Sequence, residues 1–189
     1  MSLDWDAEVE SPATIAIIGA GAAGIETAIY ARFLGYEVML FDIGRPGRYS
    51  KRWHRRSMGA SVEALTTSVG WAAIKAQNPD LTLPDLTTTW TGEEYEANYL
   101  TPLAKTDLVH DHVQFNTRVL SVSRLTHQPY EFSDMQSRCN DEFYLLVDSR
   151  NRGVYAARAD VVVDCRGLTG RLIGMGPGGS NAIGQSKYE

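Results

Sequence analysis

The stretch from Ala13 to Asp42, ATIAIIGAGAAGIETAIYARFLGYEVMLFD, constrains this 189-residue chain more than any other part of it. An apolar run, Ile15 to Ile18, stops at Gly19-Ala20-Gly21-Ala22-Ala23-Gly24. Apolar residues then recur at helical spacing through Ile25, Ala28, Ile29, Ala31 and Leu34, and a second apolar run, Val38 to Phe41, closes on Asp42. Strand, glycine turn, helix, strand and acid in that order predict a βαβ unit built to bind a dinucleotide. Gly19 permits the tight turn out of the strand, Gly21 lets backbone approach a pyrophosphate with no Cβ in the way, and Gly24 lets the helix pack closely on the strands. The free N–H groups that open the helix, around Ala22 and Ala23, combine with its dipole to favour an anion. Asp42, eighteen positions after Gly24, stands where a carboxylate accepts hydrogen bonds from both hydroxyls of an adenosine ribose and repels a 2′-phosphate. Which dinucleotide is bound stays open at this level.

Bulk properties narrow the class. A chain of 189 residues with 43% hydrophobic and 22% charged residues suits one soluble domain, or one domain with an excursion. Its apolar runs are strand-sized, well short of the roughly 20 residues that span a bilayer. The first 12 residues, MSLDWDAEVESP, are polar and acidic, so they read as a disordered leader to a single domain over 13–189, not as a signal peptide. A cytoplasmic protein follows as the default. The net charge of −5 gives no encouragement to nucleic-acid binding. Cys139 and Cys165 form no CxxC and have no histidine cluster near them, so neither a metal site nor a redox dithiol is indicated. Cys165 ends an apolar run, as a small buried thiol would.

After Asp42 the loop IGRPGRYSKRWHRRS carries Arg45, Arg48, Lys51, Arg52, Arg55 and Arg56 without an acid. Ile43 and Arg45, directly past the ribose acid, are assigned to the nucleotide site; the other cations are open between ligand contact and solvated loop. Ser61 to Gln77 has helical spacing, the prolines at 79 and 84 mark an irregular connection, and Thr91 to Glu94 reads as a capping box opening a helix with Tyr95, Tyr99, Leu100 and Leu103 on one side. His110 and His112 lack a third ligand for a metal. From Val113 the period changes to two. VQFNTRVLSVSRL reads as a strand of the main sheet, EFYLLVDS and VYAARAD as an antiparallel meander with Arg150 to Gly153 at a hairpin tip, and Val161 to Cys165 as a buried parallel strand. Gln128 to Asp141 reads as a polar loop. The fold class is thus α/β, a parallel sheet with a small antiparallel β-meander.

These elements together resemble a family. GAGAAG with Asp42, NTRV at Asn116 to Val119, the meander, and ADVVVDCRG at Ala159 to Gly167 followed by GPGGSNAIGQ look like the FAD-binding part of the two-dinucleotide-binding flavoproteins, the pyridine nucleotide-disulfide oxidoreductase and flavin-containing monooxygenase group. The resemblance implies a Rossmann-type FAD/NAD(P)-binding fold with FAD pyrophosphate on the glycine turn and the AMP ribose on Asp42. It also implies adenine against the backbone of Val119, and Cys165 and Gly167 close to the cofactor. Three departures stand out. Arg166 occupies a position that is usually small in the family, the redox-active cysteine pair is missing, and the family's second, NAD(P)-binding domain and C-terminal Gly-Asp element have no counterpart here.

The chain is therefore expected to be the FAD-binding domain of a flavin-dependent, NAD(P)H-linked oxidoreductase, a fragment completed by a C-terminal domain, a partner chain or a homodimer. NAD(P) would be a second nucleotide whose site is not found here, and the isolated chain would show little or no turnover. Two alternatives remain open: a non-catalytic regulatory module sensing a dinucleotide, and a single-Rossmann NAD-dependent dehydrogenase, against which the absent Tyr-x-x-x-Lys pattern and the meander argue.

Overall fold

The computed structural model describes residues 12–46, 55–128, 135–167 and 183. Residues 1–11 of the leader, Arg48 to His54 and the glycine-rich segment Gly174 to Gly179 lie outside the described residues. The chain opens with β1 (Thr14–Ile18), α1 (Ala22–Phe33) and β2 (Glu37–Phe41). An excursion follows: β3 (Ser57–Ser61), α2 (Val62–Leu65), α3 (Ser68–Gln77), β4 (Thr89–Thr91) and α4 (Gly92–Tyr95). The last of these passes through a π-helical turn, Glu96–Leu100, into α5 (Thr101–Ala104). After a 3-10 turn at His110–His112 come β5 (Val113–Gln114), β6 (Thr117–Arg124), α6 (Met135–Cys139), β7 (Phe143–Ser149), β8 (Gly153–Ala159) and β9 (Val161–Asp164).

Four strands form a parallel sheet in the order β5-β2-β1-β9, and β6, β7 and β8 form an antiparallel meander. Successive strand residues point to opposite faces, and here both faces are covered. Ile17, Val38 and Leu40 pack with α1 and the excursion helices, whereas Ala16 and Phe41 pack with Leu145, Val147 and Ala159 of the meander. Burial on both sides explains why these strands read as continuous apolar runs. The result is three layers: helices, parallel sheet, meander.

The excursion is anchored to α1 by an aromatic cluster. Trp71 meets Tyr99 at a ring separation of 5.0 Å, and Tyr95 stacks on Tyr99 at 5.7 Å. The Tyr99 hydroxyl donates to Glu26 of α1 and accepts from the Thr67 N–H at 3.0 Å. Burial and the bond to Glu26 push this phenol up to about 12. The capping box at Thr91 forms, with the Glu94 carboxylate accepting from the Thr91 N–H at 2.8 Å. In the continuing helix Pro102 has no N–H to donate four residues back. The backbone widens just before it, and the Thr101 N–H donates to the Glu96 carbonyl.

Three segments differ from the sequence reading. The run from Val113 does not stay in one sheet: Asn116 takes φ 53°, a left-handed turn that asparagine tolerates, so β5 alone joins the parallel sheet and β6 leaves for the meander. The stretch Ser61 to Gln77 is two helices, because Thr67 caps α3 by accepting from the Gly70 N–H and breaks the run. The polar stretch before β7 contains α6 where a loop is expected; Asp141, just past α6, accepts from Thr126 and His127, ties that hydropathy does not reveal.

Candidate functional site

The carboxyl ends of β1, β2 and β9 lie side by side, Ile18 being paired with both Phe41 and Asp164. Gly19, Asp42 and Cys165, the next residues along each strand, therefore meet at one edge of the sheet. There β1 has β2 on one side and the late-arriving β9 on the other, the switch point at which open α/β sheets offer a crevice. A cavity of about 730 Å³ opens at this edge. Its walls include Gly19, Gly21, Ala22, Ala23, Asp42, Ile43, Val119, Cys165 and Gly167.

The three motif glycines differ physically. Gly19 has φ +105°, and a Cβ there would lie 2.9 Å from the Cys165 carbonyl oxygen. A Cβ on Gly24 would run into the carbonyl oxygen of Gly19, so this glycine lets α1 seat on the turn. A Cβ on Gly21 would meet nothing within 4 Å. Gly21 is also the residue before α1, in extended backbone, with no side-chain cap on the helix and no acid in its first turn. Its first-turn N–H groups have no intrahelical partner.

Asp42 is bound more tightly into the protein than expected. Its Oδ2 accepts from the Ala20 N–H at 2.7 Å and its Oδ1 from the Gly44 N–H at 2.7 Å. The carboxylate thereby staples the glycine turn to β2 and has its rotamer fixed, while each oxygen keeps a further lone pair. The Thr117 N–H donates to the Asp42 carbonyl at 2.8 Å, which brings the start of the meander onto the same wall.

Of the residues assigned from sequence, Gly24 lies buried beneath the turn, and Arg45 is exposed and stands outside the cavity lining. Burial pushes the Cys165 thiol up, away from reactivity, and its N–H donates to the Ile18 carbonyl at 2.8 Å. Arg118, Leu120, Asp164 and Arg166 also line the cavity and were not assigned to it from sequence. Leu120 owes its place to a register shift between Val119 and Ser121, which no hydropathy pattern reveals. Asp164 and Arg166 flank Cys165 at the end of a parallel strand, a position that itself could have marked them.

The fold is a Rossmann-type FAD/NAD(P)-binding fold. Crystal structures with the same fold include OTEMO in complex with FAD and NADP, at TM-score 0.56 and 19% identity over 84% of this chain and 26% of that one. Oxidized steroid monooxygenase bound to NADP matches at TM-score 0.55 and 21% identity, over 87% of this chain and 29% of that one. The bacillithiol disulfide reductase Bdr from Bacillus cereus matches at TM-score 0.56 and 16% identity, over 82% of this chain and 39% of its own. The resemblance to the two-dinucleotide-binding flavoproteins thus holds at the level of fold. The chain spans 26% to 39% of the length of these neighbours. No protein-family model matches the sequence, and no curated protein does.

Proposed function

We propose that this chain is the FAD-binding part of a flavin-dependent, NAD(P)H-linked oxidoreductase of monooxygenase-like or reductase-like kind. The observation that carries the reading is the open space over Gly21, at the uncapped start of α1 and inside a cavity that also holds Asp42 and the end of β9. Packing explains Gly19 and Gly24; it does not explain Gly21, where the structure leaves room for a larger residue. A backbone position kept bare beside free N–H groups suits a pyrophosphate. The structural neighbours, which include complexes with FAD and with NADP, support the same reading.

In this reading the turn from Gly19 to Gly24 holds the pyrophosphate, the remaining lone pairs of Asp42 hold the ribose, and Ile43 and the backbone of Val119 flank the adenine. Cys165 and Gly167 line the path toward the flavin. A bound flavin supplies the electron-transfer chemistry, and the chain contributes binding and orientation. Asp42 at the ribose disfavours a ligand with an additional 2′-phosphate, because two anions would meet, so NADP belongs to a different site in this reading. The test is retention: purified chain mixed with FAD and passed through a desalting column keeps flavin absorbance in the protein peak, and a competing excess of ADP-ribose removes it. A protein peak without flavin under both conditions would reject the reading.

A further inference from the structure

Two cations line the cavity among the described residues, Arg118 and Arg166. Arg118 is the second residue of β6, next to Thr117, whose N–H is bonded to the Asp42 carbonyl, and so it belongs to the adenosine side. Arg166 belongs to the glycine turn. Its backbone nitrogen lies 3.1 Å from where a Gly19 Cβ would be, so the side chain starts from the wall of the turn itself.

We propose that Arg166 is the cationic contact for the diphosphate of the dinucleotide, held on Asp164 in the free protein and transferred to the diphosphate on binding. The proposal rests on the nucleotide reading above. In the free protein the guanidinium grips Asp164 with both arms, Nε to Oδ1 at 2.8 Å and a terminal nitrogen to Oδ2 at 2.6 Å. Both side chains are half exposed or more, at 60% for Arg166 and 50% for Asp164. An ion pair so open to water contributes little net stability, so releasing it is cheap. A diphosphate offers the same fork a doubly charged partner beside the positive end of α1. The pair also answers an electrostatic difficulty: Asp164 alone would repel an entering anion, and Asp42 is already committed to Ala20 and Gly44. An arginine this exposed thus has a role that packing does not give it.

Calorimetric titration of the parent chain, Arg166→Gln and Asp164→Asn with FAD, ADP-ribose and adenosine tests this. Arg166→Gln should bind FAD and ADP-ribose roughly tenfold to a hundredfold more weakly and adenosine equally well, because adenosine has no phosphate. Asp164→Asn keeps an acceptor for the Arg166 N–H but removes the competing charge, and it should bind FAD several-fold more tightly. Melting curves matching the parent's are expected for both, since both side chains are exposed. Parental FAD affinity in Arg166→Gln, or weaker binding in Asp164→Asn, overturns the proposal while leaving the nucleotide reading intact. A parent chain that binds neither FAD nor ADP-ribose overturns the reading and the proposal with it.

Discussion

Gly21 and Gly24, three positions apart in one motif, have opposite surroundings. A Cβ on Gly24 has nowhere to go but the Gly19 carbonyl, so Gly24→Ala should unfold the turn at a cost at or beyond the roughly 1–3 kcal/mol typical of overpacking. Gly21→Val enters open space with allowed backbone angles and should melt within a degree or two of the parent. Differential scanning calorimetry of the two variants checks this; a Gly21→Val chain as damaged as Gly24→Ala would mean the space over Gly21 is not free. Asp42 joins a structural job to the ligand role proposed for it. Removing its carboxylate strands the buried Ala20 N–H, so Asp42→Ala should lose about 1–3 kcal/mol in urea titration and also gain relative affinity for 2′-phosphorylated ADP-ribose. The ligand role proposed for Asp42 is legible in its spacing, whereas the staple to Ala20 and Gly44 is a matter of rotamer, which spacing does not encode.

The opening βαβ unit was readable residue by residue because its strands are buried on both faces and its helix begins at glycines with fixed steric duties. The meander and excursion were readable only in part. A single left-handed residue, Asn116, moves a whole strand from one sheet to another, and a single cap, Thr67, splits a helix. The excursion depends on Gly70, whose absent side chain makes room for the Tyr99 ring. Gly70→Ala gains helix propensity but drives a methyl into a ring buried between Trp71 and Tyr95, so a net loss of about 1–2 kcal/mol is expected in thermal denaturation. In the meander, Asp141 closes the connection from β6 to β7. Desolvation pushes its carboxyl up, but bonds from His127 and Thr126 outweigh it and hold it at about 2, against an ordinary 3.8. The folded value lies below the unfolded one, so this stabilisation is complete above about pH 4 and lost as pH falls toward about 2. The gap in melting temperature between the parent and Asp141→Asn should close over that window. A gap independent of pH would show that the bonds to Asp141 do not depend on its charge.

Among the described residues there is one glycine turn at the switch point of one parallel sheet, which suits one dinucleotide. Hydride transfer needs a nicotinamide held against the flavin, and lacking that proximity costs about 7–11 kcal/mol of barrier. We therefore expect the FAD-loaded 189-residue chain to show no saturable flavin bleaching in stopped-flow mixing with NADPH or NADH. Rapid, saturable bleaching would place a nicotinamide site within this chain or a dimer of it. On the function proposed above, FAD sits on the turn that Gly21 keeps bare. Calorimetric titration with FAD, run side by side on the parent and on folded Gly21→Val, should give one-site binding in the parent and none in the variant. Equal affinity in the two chains, or no binding by the parent, would contradict it.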